Sequence, residues 1–136
     1  HSVTTTWINK LAFDSAVDGH IVRIDSKAPM GDNTGPGPKA LLLTALTGCT
    51  GMDVASLLPK MRVPFDSLTI TAEAELTDEH PRVYKWIKLV FHISGTDIRE
   101  DKVRQAIELS QEKYCGVTAM LKAHCPITWE LEIGRS

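Results

Sequence analysis

One nearly continuous apolar segment, LLLTALTGCTGMDVASLLPK at residues 41–60, constrains the fold more than any other part of the chain. It predicts a helix from Pro38 to Leu58, because proline is tolerated in a first helical turn and Pro59 is expected to end the helix. A helix that is apolar on nearly every side must be covered by sheets or by a second subunit. We therefore expect it to be buried at the centre of the molecule.

This helix carries Cys49, with Gly48 before it and Gly51 two positions after it. Cysteine is a common small core residue, whereas each glycine within a helix costs about 1 kcal/mol relative to alanine. The glycines therefore predict a close approach of another backbone, or of a ligand, beside Cys49. Asp53 follows one helical turn later, and a carboxylate in so apolar a helix needs a partner. That partner is either a cation or, more simply, a helix cap or water.

The remaining sequence predicts an α+β fold in the order βββ–α–ββ–α(α)–β. A meander of three strands is expected within residues 3–25, since Asp18-Gly19 is a strong hairpin signal. Two alternating strands follow the buried helix, and a helical region at 99–122 precedes a last strand. We expect one or two antiparallel sheets packed on helices in a single domain over residues 1–136.

Composition and charge argue against several classes of function. A net charge of −2 with scattered basic residues gives no nucleic-acid-binding patch. Thr, Gly and Asp interrupt the apolar segment, so no membrane span is expected, and no signal-peptide pattern is recognised. His1 and Ser2 are interpreted as a remnant of expression cloning.

The chain has three cysteines, Cys49, Cys115 and Cys125, and no CxxC pair. An odd number favours a reducing cytoplasm over a disulfide framework. The spacing also lacks the usual zinc pattern, so no metal is expected. Taken alone, Cys49 and Cys115 are interpreted as core residues, and Cys125, next to a proline at the last strand, as structural.

The segments GPGPKALLLTALTGCTGMDV around Cys49 and LSQEKYCGVTAML around Cys115 form a specific pair of motifs in this order. With the turn at His80-Pro81, they resemble the osmotically inducible protein C and organic hydroperoxide resistance (OsmC/Ohr) family, and its OsmC-like branch in particular. The resemblance extends from about residue 19 to the end. It implies an intertwined homodimer in which antiparallel sheets wrap around two central helices, with both active sites at the subunit interface.

The resemblance also implies the chemistry of a thiol peroxidase in the cytoplasmic stress response. Cys49 would attack the peroxide O–O bond as a thiolate, and the resulting sulfenic acid would condense with Cys115 to a disulfide. An external dithiol would restore both thiols, with no metal or organic cofactor. The expected substrate is a small organic hydroperoxide, because an apolar pocket would prefer it to hydrogen peroxide.

Peroxidases of this family bring an arginine to the reactive sulfur and orient it with a glutamate near the start of the buried helix. The corresponding positions here are Lys39 or Ala40. Arg23 is the only arginine before this helix and is the first candidate for the thiolate-stabilising cation, although it also fits an exposed strand position. Lys39, from the same or the other subunit, is the second candidate.

Because the glutamate is replaced, two other functions stay open. The chain would then be a dimer that binds a small ligand or senses oxidation without efficient turnover. Alternatively, the dimer is a scaffold in which both cysteines only pack.

Overall fold

The computed structural model describes residues 1–135, which form six β-strands and three α-helices in the predicted order. The predicted α+β class is confirmed. The elements are β1 Val3–Asn9, β2 Ala12–Val17, β3 His20–Ile24, α1 Pro38–Lys60, β4 Ser67–Leu76, β5 Tyr84–Gly95, α2 Glu100–Leu109, a π-helical turn Ser110–Tyr114, α3 Gly116–Lys122 and β6 Ile127–Arg135.

The chain divides into two compact units, residues 1–44 and the remainder. The boundary falls inside α1, so this helix begins in the first unit and continues in the second. The single domain over residues 1–136 stays a prediction.

The first unit contains the predicted meander, an antiparallel sheet in the order β1-β2-β3. Its second turn is at Asp18-Gly19, as expected. Both residues have positive φ, 49° and 82°, which a two-residue hairpin turn of type I′ requires and which an Asp-Gly pair adopts at low cost.

The buried side chain of Asp25 organises the Gly- and Pro-rich loop that follows β3. Its carboxylate accepts hydrogen bonds from the Ser26 N–H (2.7 Å), the Thr34 N–H (3.0 Å) and the Thr34 hydroxyl (2.7 Å). The Asp25 N–H also donates to the Pro36 carbonyl at 3.1 Å. The hydrogen bonds that the carboxylate accepts, above all those from Thr34, lower the pKa of Asp25 to about 2. A single ionised side chain thus holds both ends of the loop.

The second unit contains a sheet in the order β4-β5-β6. It differs from the predicted antiparallel arrangement in its last strand, because β4 pairs antiparallel with β5 but β6 runs parallel to β5. A parallel pair needs a crossover connection, and the segment from α2 to α3 provides one. The helical region predicted at 99–122 is therefore what sets the direction of β6.

One face of this sheet forms the core with α2, as the alternating pattern predicts. The buried apolar residues on this face of β5 and on α2 are Ile87, Leu89, Phe91, Ile93, Val103, Ala106 and Ile107. Phe91 meets Trp129 of β6 edge to face, with ring centroids 6.1 Å apart. Ser110 also lies fully buried, in line with the apolar stripe of α2.

Helix α1 continues to Lys60, so Pro59 lies in its last turn and does not end it at Leu58 as predicted. Proline removes one backbone donor, but the N–H of Met61 still donates to the Leu57 carbonyl at 3.0 Å. Losing one bond in a turn that is about to end costs less than losing it in the middle of a helix.

Helix α1 buries only one stripe within the single chain. The stripe is Leu46, Thr50, Val54 and Leu58, at intervals of four residues. Leu42 and Met52 are 46% and 76% exposed. By length and composition alone, α1 is apolar enough to cross a membrane, with a mean hydropathy of 1.5 over 18 residues. The Thr, Gly and Asp residues in this segment therefore do not lower its hydropathy below that of a membrane span, contrary to the prediction. The central burial predicted for α1 is not reached within one chain.

The role of Asp25 can be tested by replacing it with asparagine. The folded-state pKa lies near 2, below the ordinary value of 3.8, so the ionised carboxylate stabilises the fold above about pH 4 and this contribution is lost as pH falls toward 2. We expect Asp25→Asn to have a lower Tm at pH 7, with a difference from wild type that shrinks between about pH 4 and pH 2. Thermal unfolding at several pH values measures this, and a constant difference would contradict the assignment.

Candidate active site

The two cysteines of the predicted site lie next to each other in the second unit. Cys49 belongs to α1 and Cys115 links the π-helical turn to α3, and both are free thiols. Their sulfur atoms and a carboxylate oxygen of Asp53 all lie within 4.8 Å of one another. Folding therefore joins the two sequence motifs into one cluster of three ionisable groups.

The π-helical turn places Cys115 at this point. Its N–H donates to the Ser110 carbonyl at 2.8 Å, a bond that spans five residues instead of four. Cys115 itself is extended, with φ −78° and ψ 101°, and caps the start of α3. Its sulfur accepts the Thr118 N–H at 3.3 Å, the bond expected of a residue that caps a helix N-terminus.

The two thiols differ in their surroundings. Cys115 is 3% exposed, and burial raises the pKa of its thiol. Thr118 lowers that pKa through its hydrogen bonds, and the adjacent Cys49 raises it further, so the combined shift is upward. Cys49 is only half-buried. Cys115 is thus held as a neutral, enclosed thiol beside a more accessible one.

A directed chain of hydrogen bonds ends on Asp53. The Ser110 hydroxyl donates to Asp53 Oδ2 at 2.8 Å and lies 2.7 Å from the Thr50 hydroxyl. Because the Ser110 proton is committed to the carboxylate, Thr50 is the donor to Ser110. Gln111 Nε2 donates to Thr50 Oγ1 at 2.9 Å, and the Thr118 hydroxyl donates to Gln111 Oε1 at 3.4 Å. Each hydroxyl in the chain therefore has a partner.

This chain of hydrogen bonds identifies the partner that the Asp53 carboxylate was expected to need. Its partner is a hydroxyl on another helical segment, whereas the sequence left a cation, a cap or water open. Thr50 and Ser110 are both fully buried, and sequence reasoning missed their role together with that of Gln111 and Thr118. A signal was present, because Thr50 lies in the buried stripe of α1 and Ser110 lies in the apolar stripe of α2.

The two glycines near Cys49 have different surroundings. A Cβ atom on Gly51 would lie 3.2 Å from Ile70 Cδ1, whereas one on Gly48 would meet no atom within 4 Å. Gly51 therefore allows the Ile70 side chain of β4 to approach α1, whereas the sequence predicted the approach of a backbone or a ligand at both glycines. Gly48 faces an open groove of about 540 Å³ between α1 and the start of β4.

The two predicted cations belong to the first unit. Arg23 forms a two-pronged ion pair with Asp14, in which Nη2 lies 3.2 Å from Oδ2, and its Nη1 donates to the Thr34 hydroxyl at 3.2 Å. Lys39 is exposed and lies in the first turn of α1, ten residues before Cys49. Cys125 is buried at the end of α3, where burial raises the pKa of its thiol.

The chain is similar in sequence and in fold to known proteins. A family model described as "OsmC-like protein" matches residues 31–130. The protein YhfA of Escherichia coli strain K12 is 34% identical over 128 residues, which is 93% of each chain.

Two solved structures illustrate the likeness in fold. The OsmC like protein from Mycoplasma pneumoniae superposes with a TM-score of 0.84 at 15% identity, covering 97% of this chain and 95% of that one. The organic hydroperoxide resistance protein OhrB of Bacillus subtilis superposes with a TM-score of 0.66 at 18% identity, covering 96% of each chain.

Removing the Ser110 hydroxyl tests the hydrogen-bond chain. Ser110→Ala leaves Asp53 and Thr50 without their shared partner, so we expect the free energy of unfolding to fall by about 1–3 kcal/mol. Urea denaturation of the reduced protein at pH 7 measures the loss. The exposed Ser56→Ala in α1 is the matched control, with an expected change within about 0.5 kcal/mol. Equal losses in the free energy of unfolding in the two variants would contradict the stabilising role of the hydrogen-bond chain.

Proposed function

The chain belongs to the family of OsmC-like proteins, and we propose that it is a thiol peroxidase that reduces small organic hydroperoxides through Cys49 and Cys115. The observation that carries this proposal is the proximity of the two thiols, which come from separate motifs and lie within 4.8 Å of each other beside Asp53. Two cysteines that only filled the core would not need to lie side by side.

The reaction has two steps. In the first, the Cys49 thiolate attacks one oxygen of the peroxide, the O–O bond breaks, and the leaving alkoxide takes a proton to become an alcohol. Cys49 is then a sulfenic acid. In the second, the sulfur of Cys115 attacks the Cys49 sulfur, the S–O bond breaks, and water leaves with the Cys115 proton. An external dithiol then reduces the disulfide by exchange.

Burial supports this division of roles. The first thiol must meet a substrate from solution, and Cys49 is the more accessible of the two. The second thiol must be shielded from peroxide and wait beside the first, and Cys115 is enclosed, with a raised pKa. The nucleophile is therefore Cys49, and Cys115 resolves the sulfenic acid.

Closing the disulfide requires a modest movement. A disulfide has an S–S length of about 2.05 Å, whereas the two sulfur atoms lie within 4.8 Å of each other. Cys115 has extended backbone dihedrals between two helical segments, and moving its sulfur toward Cys49 releases the hydrogen bond that this sulfur accepts from the Thr118 N–H.

The apolar surface that α1 leaves exposed supports the proposed homodimer. Leu42 and Met52 lie on a helix that one chain covers on a single stripe, and a second subunit would remove this surface from water. The same apolar surroundings favour an organic hydroperoxide over hydrogen peroxide. OhrB carries "organic hydroperoxide resistance" in its name, in keeping with this substrate class. A reducing cytoplasm, where external dithiols are available, is the proposed location.

Peroxidase activity can be tested by stopped-flow mixing of the fully reduced protein with cumene hydroperoxide or hydrogen peroxide. We expect rapid loss of two thiols with cumene hydroperoxide, slower loss with hydrogen peroxide, and a product mass that shows one disulfide. Cys49→Ser should abolish the fast phase, and Cys115→Ser should stop at a sulfenic acid. Cys125→Ser is the matched control and should behave as wild type.

Thiol loss no faster than that of free cysteine would contradict the proposal and favour the dimer that binds a small ligand or senses oxidation. Wild-type stability in Cys49→Ser and Cys115→Ser, together with inert native thiols, would favour a scaffold instead.

The cation that stabilises the thiolate is proposed to be Arg23 or Lys39, from the same or the partner subunit. Loss of a cation that shifts a thiol pKa by one unit reduces the thiolate fraction about tenfold at pH values below that pKa. The variant that removes the cation, Arg23→Ala or Lys39→Ala, should therefore slow the reaction with cumene hydroperoxide at pH 7 and regain rate at higher pH.

A pH–rate profile measures this effect. Lys85→Ala, which removes an exposed lysine from β5, is the matched control. Unchanged profiles for both Arg23→Ala and Lys39→Ala would exclude both residues.

A further inference from the structure

We propose that the reduced protein binds one thiophilic divalent cation, with Zn²⁺ as the representative ion, between Cys49, Asp53 and Cys115. The two sulfur atoms and a carboxylate oxygen lie within 4.8 Å of one another. No spacing motif in the sequence predicts this site, because the three ligands do not form a CxxC pair and meet only in the folded second unit.

The separations suit zinc after a small contraction. Zn–S bonds of about 2.3 Å and Zn–O bonds of about 2.0–2.2 Å in tetrahedral geometry place ligand atoms roughly 3.5–3.8 Å apart. Each pair of atoms therefore needs to close by at most about 1.3 Å to meet this geometry. The extended backbone at Cys115 gives one of the three ligands room to move.

Neighbouring groups already hold two of the ligands in place. Asp53 accepts a hydrogen bond from Ser110 through Oδ2, which leaves the other carboxylate oxygen to a metal. Cys115 accepts the Thr118 N–H. Hydrogen bonds of this kind orient metal ligands and contribute about 10–100-fold to metal affinity in characterised sites.

The charges of the ligands also favour a cation. A thiol binds a metal as thiolate, so Cys49 and Cys115 give up two protons as the ion binds. Together with Asp53 they then form a cluster of three negative charges that a divalent ion compensates. Two sulfur ligands select zinc or cobalt over magnesium and calcium. Three protein ligands leave a fourth position for water.

Metal binding and disulfide formation exclude each other, because both use the sulfur atoms of Cys49 and Cys115. This consequence rests on the proposed function. If peroxide oxidises the metal-bound form, the two sulfurs give two electrons to the O–O bond and join as a disulfide. The products are an alcohol, water and the released cation, with uptake of two protons. Bound metal therefore protects both thiols until an oxidant displaces it.

Metal binding can be tested with Co²⁺ as a spectroscopic probe, added under anaerobic conditions to reduced protein without peroxide. We expect one equivalent to give a thiolate-to-cobalt charge-transfer band and the visible bands of tetrahedral cobalt, and Zn²⁺ to bleach both. Cys49→Ser and Cys115→Ser should lose the charge-transfer signal of the pair. Asp53→Asn should weaken binding by tenfold or more, as expected for loss of a direct ligand. The matched control Cys125→Ser should bind as wild type.

The proposal is overturned if wild-type protein gives no bands, if the bands persist in Cys49→Ser and Cys115→Ser, or if Asp53→Asn binds with full affinity. A second measurement needs no variant. Zinc should prevent alkylation of Cys49 by iodoacetamide in the wild-type protein, as mapped by mass spectrometry, and an unchanged rate would also overturn the proposal. Neither assay involves turnover, so a negative result here leaves the peroxidase test unaffected, and the reverse also holds.

Discussion

The hydrogen bond from Ser110 to Asp53 is the contact on which the site depends. It joins α1 to the π-helical turn and accounts for a carboxylate in an otherwise apolar helix. A buried polar group without a partner costs about 1–3 kcal/mol, so the hydroxyls of Thr50 and Ser110 fix how these two segments pack. The segments in turn bring the sulfur atoms of Cys49 and Cys115 within 4.8 Å of each other.

The π-helical turn has a specific function in this arrangement. It adds one residue to the helical path, so the chain changes direction at Cys115 and not one position earlier. Cys115 leaves the helix in an extended conformation and starts the next helix with its own sulfur as the cap. The pair of cysteines is therefore held by main-chain hydrogen bonds at Cys115 and by helix α1 at Cys49.

Three acidic groups in so small a volume define the chemistry open to the site. Ionising one thiol beside Asp53 and the second thiol requires compensating positive charge. A cationic side chain serves a nucleophilic thiolate, and a divalent ion serves two thiolates together. The proposed thiolate nucleophile and the proposed metal site thus both require positive charge beside the same acidic groups. Oxidation of Cys49 and Cys115 to a disulfide removes the thiolates that both of them use.

Sequence alone determined the order of the elements, the hairpin at Asp18-Gly19 and the pair of cysteine motifs, because periodicity, turn chemistry and motif order are local properties of the chain. Only the tertiary structure decided that β6 runs parallel to β5, that α1 continues through Pro59, and that Asp53 meets Ser110. These outcomes depend on contacts between residues far apart in the chain, where hydrogen-bond partners and crossover paths are set by packing. The sequence marked Asp53 as a residue in need of a partner, but the partner lies on another helix and could be identified only once the two helices were packed together.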